Sequence, residues 1–270
     1  MTGSPTRIVL VTGASSGIGR ACAEYLAARG YRVYGASRRA EAGALVEAVR
    51  MDVRDDASVR DGVAAVIARE GRIDVVVNNA GIALAGAVED TSLEEARQQF
   101  EVNFFGVLRV CRAVLPLMRQ QGSGHIVNIG SIGGLVAIPF QGLYSASKFA
   151  LEGLTESLRL EAGALGIHIV LIEPGDCRTG LTGNRNSTGE SQSNPAYRDR
   201  FQIAVARMAA DEQNGPGPEV VARLLHRVVS HPHPRLRYTV GPAPERAAVW
   251  LKRLLPYAAI EKLMSFYYSR

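Results

Sequence analysis

Three features are scarce in this 270-residue chain. It has three cysteines, Cys22, Cys111 and Cys177, far apart and without CxxC or CxxH spacing. That excludes a disulfide framework and a zinc site, and reads as a reduced intracellular set. Long apolar runs are also missing. The first, 8–11, stops before a glycine turn and is too short for a signal-peptide core or a membrane span, so a cytoplasmic location is expected. The main body lacks an excess of either charge. The formal net charge is +5, but residues 235–270 alone hold seven Lys/Arg against two Asp/Glu, and the 24 basic and 24 acidic residues before them cancel. That argues against a nucleic-acid-binding face on the main body. His231 and His233 lie in a proline-interrupted loop without an acidic or cysteine partner nearby, so no metal is expected.

What is present is the composition of a globule with a substantial core: 47% hydrophobic and 21% charged residues. The length suits one large α/β domain or at most two small ones. Apolar, β-rich runs at 7–11, 32–36, 45–52, 73–78, 125–129, 167–173 and 237–240 alternate with helical patterns near 17–29, 57–70, 93–120, 145–163 and 218–230. Such alternation predicts right-handed βαβ units and a mostly parallel, doubly wound sheet of seven strands with helices on both faces. Apolar residues thin out over 176–218, where Gly, Asn, Ser and Gln crowd together. That stretch is expected to be a substrate lid loop.

The first strand runs into Thr12-Gly13-Ala14-Ser15-Ser16-Gly17-Ile18-Gly19 and then a helical pattern. Glycines there allow a tight turn and close approach to a pyrophosphate, while the helix N-terminus offers free N–H donors. A dinucleotide is expected at Gly13, Ser15, Ser16, Gly17, Ile18 and Gly19. At the end of the second strand an acidic residue would favour NAD(H). This chain has Ser37-Arg38-Arg39 instead, and Arg38 is expected to pair with the 2′-phosphate of NADP(H). NAD(H) is the alternative cofactor.

In order along the chain come the TGxxxGxG turn at 12–19, Asp52-Val53, Asn78-Asn79-Ala80-Gly81, Asn103, Ser131, Tyr144-Ser145-Ala146-Ser147-Lys148 and Pro174-Gly175. Thirteen positions separate Ser131 from Tyr144. In this set the sequence resembles the short-chain dehydrogenase/reductase family over about residues 7–241, closest to its hydroxysteroid- and retinol-dehydrogenase-like members. The resemblance implies a single α/β Rossmann-type domain over 1–241, with a C-terminal helical extension over 242–270. It implies that Lys148 binds the nicotinamide ribose and that Asn103 holds a water linking Lys148 to solvent. It further places Asp52 and Val53 at the adenine and Asn79 along the adenosine ribose, with Ala80 and Gly81 also among the cofactor-binding residues. Ile172, Pro174, Gly175 and Thr179 would line the nicotinamide side. Asp52 has a second reading, as the N-cap of the following helix.

The chemistry can be argued from the residues. Tyr144 and Lys148 are four apart at a helix start, so both project from one face. A nearby ammonium, with a positive nicotinamide ring, lowers the phenol pKa from near 10 and lets Tyr144 exchange a proton with a carbonyl or alcohol oxygen. Ser131 lies past the carboxyl end of a strand, where its hydroxyl can hold the same oxygen. Ala83, Ile132, Gly133, Val136, Phe140, Leu143 and Cys177 flank this set and predict a mainly apolar substrate pocket.

The tail separates readings of the substrate. Trp250, Leu251, Leu254 and Leu255 share one helix side up to Pro256, and Ile260, Leu263, Met264 and Tyr267 repeat after it, with Lys252, Arg253, Lys262 and Arg270 adding charge. Such a basic amphipathic extension can dock on its own chain or on a sister subunit, cover the pocket, or rest on an anionic membrane. The resulting expectation is an NADP(H)-dependent oxidoreductase of a lipophilic ketone, aldehyde or secondary alcohol, steroid- or retinoid-like. By resemblance it is a homodimer or homotetramer paired through the helices near 93–120 and 145–163. The alternatives are a β-ketoacyl thioester reductase acting on a carrier protein and a non-catalytic NADP-sensing regulator.

Overall fold

The computed structural model describes residues 6–39, 43–180 and 185–269, so residues 181–184 of the expected lid and Arg270 of the tail lie outside it. Its strands are β1 (Ile8–Thr12), β2 (Arg32–Ser37), β3 (Val46–Arg50), β4 (Val75–Asn78), β5 (Leu84–Ala85), β6 (Gly124–Ile129), β7 (Ile167–Pro174), β8 (Asn186–Ser187) and β9 (Arg237–Val240). Seven of them form one sheet in the order β3-β2-β1-β4-β6-β7-β9, every pairing parallel. β5 and β8 make a separate short parallel pair. β1, with the sequence IVLVT, is buried along its whole length, as is β4 with VVVN. Strands this apolar are stable only when both sheet faces are covered.

The helices are α1 (Gly17–Ala27), α2 (Asp56–Glu70), α3 (Leu93–Phe100), α4 (Gly106–Gln121), α5 (Gly142–Ala162), α6 (Gly189–Ser193), α7 (Arg198–Asn214), α8 (Glu219–Val229), α9 (Ala243–Leu254) and α10 (Tyr257–Tyr268). α2, α4 and α5 cover one face through Val63, Val110, Val114 and Leu151. α1 and α8 cover the other through Leu26, Val221, Leu225 and Val228. On α8 the buried residues fall at 221, 222, 224, 225, 228 and 229, recurring every three or four residues on one broad helix face. Truncating one of them, such as Leu225→Ala, costs about 2–5 kcal/mol because the sheet beneath cannot collapse into the gap. The strand order reverses between β1 and β4, and at the carboxyl edge of such a reversal open α/β sheets form their ligand crevice.

Two elements differ from the sequence expectation. The helix expected over 93–120 is broken. α3 starts at a capping box made by Ser92 and Glu95 and ends in a π-helical turn, Glu101–Phe105, before α4 resumes. The wider turn advances the helix phase, and the fully buried residue it turns inward is the polar Asn103. The polar segment expected as a loop instead contains the 17-residue α7. Its buried stripe is narrow, Phe201, Ala204, Met208 and Glu212, and apolar residues outside it, such as Ile203, are exposed.

The tail breaks at Pro256 as its sequence predicts, into α9 and α10. Both helices dock on the chain itself. Val249 and Ile260 are buried, and Lys252 donates to the Leu135 carbonyl. Tyr267 donates to Asp211 Oδ2 at 2.7 Å, while the Arg207 guanidinium lies 4.2 Å from its ring centre. Among the described residues no helix is long and apolar enough to cross a membrane.

Candidate active site

The β1–α1 turn is built to leave backbone donors open. Ser16 is extended and its side chain makes no cap hydrogen bond, so the first amides of α1 keep their donors for a ligand. A Cβ on Gly19 would collide with the Gly13 carbonyl, so only glycine lets α1 come this close to the end of β1. The Asn79 carboxamide braces the turn, donating to the carbonyls of Thr12 and Gly13 at 3.0 and 3.2 Å. The Thr12 hydroxyl in turn accepts from the amides of Asn79 and Ala80 at 3.0 and 3.1 Å. Ser15 and Ser16 are exposed, with Gly17 and Ile18 half-buried behind them. Thr179 faces Gly17 across the crevice, its Cβ 3.5 Å from where a Gly17 Cβ would sit. These residues fit a nicotinamide dinucleotide: a narrow glycine floor, uncapped amides for the pyrophosphate and a second wall at 174–179.

Arg38 and Arg39 are exposed just past β2. The Asp52 carboxylate is held below its usual range, first by the hydrogen bond from Arg54 and also by the charge of Arg38. Arg54 grips it with Nε at 3.0 Å and Nη2 at 2.7 Å. Asp52 is not the N-cap of α2; that place belongs to Asp55, which accepts from the Ser58 amide. Val53 is buried and packs on Gly106, which leaves little of its side chain for adenine.

Ser131, Gly133, Tyr144 and Lys148 come together where β6 ends and α5 begins. Ser131 is extended, and its Oγ accepts from the Gly133 amide at 3.0 Å, leaving its own hydroxyl proton to donate elsewhere. A Cβ on Gly133 would sit 3.2 Å from Tyr144 Cε1 and 3.3 Å from Ser131 Oγ, so this glycine sets the Ser–Tyr spacing. Burial pushes the Tyr144 phenol above its ordinary value, and hydrogen bonding to Ser131 pulls the other way. The sequence expectation was a phenol lowered by Lys148 together with a bound nicotinamide ring. Instead the Lys148 ammonium donates to the Ile129 carbonyl at 2.8 Å and lies 5.9 Å from the Tyr144 ring centre. Burial brings Lys148 itself down to about 8, against the opposing charge of Glu152.

Asn103 acts one step removed. Its Oδ1 accepts from the Ile82 amide at 2.9 Å, and its Nδ2 donates to the Ile82 carbonyl and to Ser147 Oγ, each at 3.1 Å. Ser147 then donates to the Tyr144 carbonyl at 2.7 Å. The carboxamide thus braces the first turn of α5 and does not touch Lys148. Gly81 lies beside it; a Cβ there would be 3.4 Å from Asn103 Oδ1.

Of the expected pocket residues, Ile132, Phe140 and Leu143 are half-buried, while Gly133, Val136 and Ala83 are buried. Phe140 is the one non-glycine residue with positive φ, +57°, among those described. Its ring packs edge-on to Phe201 of α7 at 5.7 Å and lies 6.5 Å from Tyr197. Cys177 is a correction: it is buried in the apolar layer with α1 and α8, and burial raises its thiol to about 11. Pro174 and Ile172 are buried at the end of β7, and the Gly175 amide donates to the Val240 carbonyl at 2.7 Å.

Three features had no local sequence signal. Thr12 holds the 79–80 backbone, although only its place in the glycine motif marked it. Glu245 of α9 reaches back to accept from the Asp176 amide at 2.9 Å, and burial together with this neighbour pushes the Asp176 carboxyl up to about 8. Arg185 and Glu212 form an ion pair, nearly fully buried on both sides, whose charges reach Tyr144. All three join residues far apart in the chain.

Comparison with known proteins agrees with this geometry. The short chain dehydrogenase family model matches residues 7–190. The 3-ketodihydrosphingosine reductase of Bacteroides thetaiotaomicron is 40% identical, over 97% of this chain and 98% of that protein. The crystal structure of a short-chain dehydrogenase from Streptomyces avermitilis superposes with a TM-score of 0.82 at 36% identity, covering 98% of this chain and 97% of the other. A short chain dehydrogenase/reductase from Burkholderia phymatum, solved in complex with NAD, gives 0.79 at 29% identity and 97% coverage of each chain. The chain belongs to the short-chain dehydrogenase family, as an oxidoreductase of CH–OH groups that works with a nicotinamide cofactor.

Proposed function

We propose that this protein uses NADPH to reduce the ketone of a lipophilic, long-chain substrate, with Tyr144 as the proton donor. The observation that carries the reading is the Ser131–Gly133–Tyr144 contact at the crevice, with Lys148 one helical turn behind. When bound, the nicotinamide supplies the hydride. Tyr144 holds a proton at its phenol oxygen and gives it to the substrate oxygen. The Ser131 hydroxyl, its oxygen already accepting from Gly133, donates to that same oxygen and stabilises the charge developing there. Lys148 supplies positive charge beneath the pair and holds the nicotinamide ribose; Asn103 keeps α5 in place through Ser147.

The lipophilic substrate is supported by Ile132, Leu143 and the Phe140–Phe201–Tyr197 aromatic group beside Tyr144, and by the relative that acts on 3-ketodihydrosphingosine. In this reading α7 and the segment leading to it are the lid. NADPH is supported by exposed Arg38 and Arg39 where an acidic residue would select NADH. A homo-oligomer is supported by Phe105 and Phe149, exposed large apolar residues at the start of α4 and on α5.

The test is loss of reduced-nicotinamide absorbance with NADPH and with NADH against a 3-keto long-chain base, a steroid ketone, a β-ketoacyl thioester and a sugar ketone. Turnover of a lipophilic ketone, faster with NADPH, is expected. Turnover confined to the thioester or the sugar would overturn the substrate class.

A further inference from the structure

On the far side of the last strand, α8, β9 and α9 enclose a groove of about 660 Å³ lined by Arg227, Arg235, Arg237, Arg246 and Arg253. Arg237 is spent on Glu152, Glu156 and Glu173. The other four guanidiniums have no ion-pair partner among the described residues, and all four residues are exposed. The single acidic residue in the lining, Glu173, is buried and already engaged by Arg237 and Thr239. Four like charges converging on one groove repel one another unless an anion sits between them.

The groove also has an apolar lip. Arg246, Trp250 and Arg253 follow one another at helical spacing on α9, and all three line the groove. The Arg253 guanidinium lies 5.6 Å from the Trp250 ring centre. Trp250 is 65% exposed, and Leu254 and Tyr257 beyond it are 77% and 71% exposed. An exposed tryptophan and leucine beside arginines, on a helix otherwise docked through Val249, match the boundary between lipid headgroups and acyl chains. A second copy of this groove carries the same charge and would repel it.

We propose that this groove seats the phosphate of an anionic phospholipid at a bilayer surface, with Trp250 and Leu254 entering the headgroup–acyl boundary. The phosphate accepts from the unpaired guanidiniums in the fork geometry that arginine offers. The first turn of α9 carries Glu245, bonded to Asp176 beside the crevice, so the same helix joins the membrane-facing groove to the redox site. The contact depends on no step of the reaction proposed above.

Trp250 is the only tryptophan in the chain, so its emission reports on this groove alone. The experiment uses the full chain with vesicles of phosphatidylcholine, with and without phosphatidylglycerol. A blue shift and quenching by brominated acyl chains are expected only with phosphatidylglycerol, and weaken with added salt. Arg227→Gln/Arg246→Gln is expected to weaken vesicle binding by about tenfold or more, with circular dichroism and thermal midpoint unchanged. Equal response to phosphatidylcholine alone overturns the proposal. So does the same spectral change with inorganic phosphate in the absence of vesicles, which would make the groove a small-anion site. A Trp250 shielded in a dimer that ignores both vesicles overturns it too. None of these readouts uses turnover, so a failed redox reading leaves the result interpretable.

Discussion

Gly133 and Tyr144 are packed closely: a Cβ on the glycine would lie 3.2 Å from Tyr144 Cε1 and 3.3 Å from Ser131 Oγ, so its neighbours would have to give way. Gly133→Ala should therefore fold but spread the Ser–Tyr pair by a few tenths of an ångström. Turnover should drop by about tenfold or more, since such misplacement weakens both bonds to the substrate oxygen. Steady-state kinetics with an unchanged thermal midpoint would support this; wild-type kcat would remove Gly133 as the spacer.

Tyr144→Phe removes the proton donor while leaving the ring against Gly133. We expect a loss of about 10²–10⁴ in kcat, with cofactor affinity kept, as read by fluorescence titration with NADPH. Near-normal turnover would sink the mechanism.

The Lys148 ammonium titrates at about 8 because burial disfavours its charge. Its folded value is depressed, so the positive form is present below about pH 8 and lost above it. Reduction that needs this charge should fall as pH rises through about 8, well below the range where the buried phenol of Tyr144 loses its proton. A profile flat to pH 10 would show that the charge of Lys148 is dispensable.

Arg38→Asp replaces the exposed cation past β2 with the acidic residue that accepts from a ribose 2′-OH. The ratio of kcat/KM for NADPH over NADH should fall by at least about tenfold, since a charge-assisted phosphate contact becomes a repulsion. An unchanged ratio would take Arg38 away from the phosphate.

Arg185 and Glu212 are both nearly inaccessible to solvent. Arg185→Met alone removes the buried positive charge beside Glu212 and should cost about 3–5 kcal/mol in denaturant unfolding. The double variant Arg185→Met/Glu212→Leu should recover most of that loss, because it removes both charges of the pair together. Equal losses in both would mean the pair matters through packing.

Much of the architecture was legible along the chain because parallel sheets write themselves locally. Each strand covered on both faces is an apolar run, and each helix repeats its buried positions every three or four residues, as α8 does at 221, 222, 224, 225, 228 and 229. The glycine turn, Ser131 and the Tyr144–Lys148 pair were legible for a related reason: their geometry is fixed within one turn of their own backbone. α7 was not, because only Phe201, Ala204, Met208 and Glu212 face inward and the Gly/Asn/Ser-rich run before it made the whole stretch read as loop. The π turn at 101–105 was hidden because a wider helical turn changes the phase of a pattern without changing its composition.

What the sequence determined by itself is thus the order of the main strands and helices, the glycine turn and the grouping of Ser131, Tyr144 and Lys148. Tertiary structure alone decided which charges meet: Lys148 with the Ile129 carbonyl, Glu245 with Asp176, Arg185 with Glu212, and four arginines around one groove. Periodicity constrains neighbours a few residues apart, whereas electrostatics and burial act through space. Only the folded chain brings residue 245 to residue 176, and only there does water leave the groups whose pKa values shift.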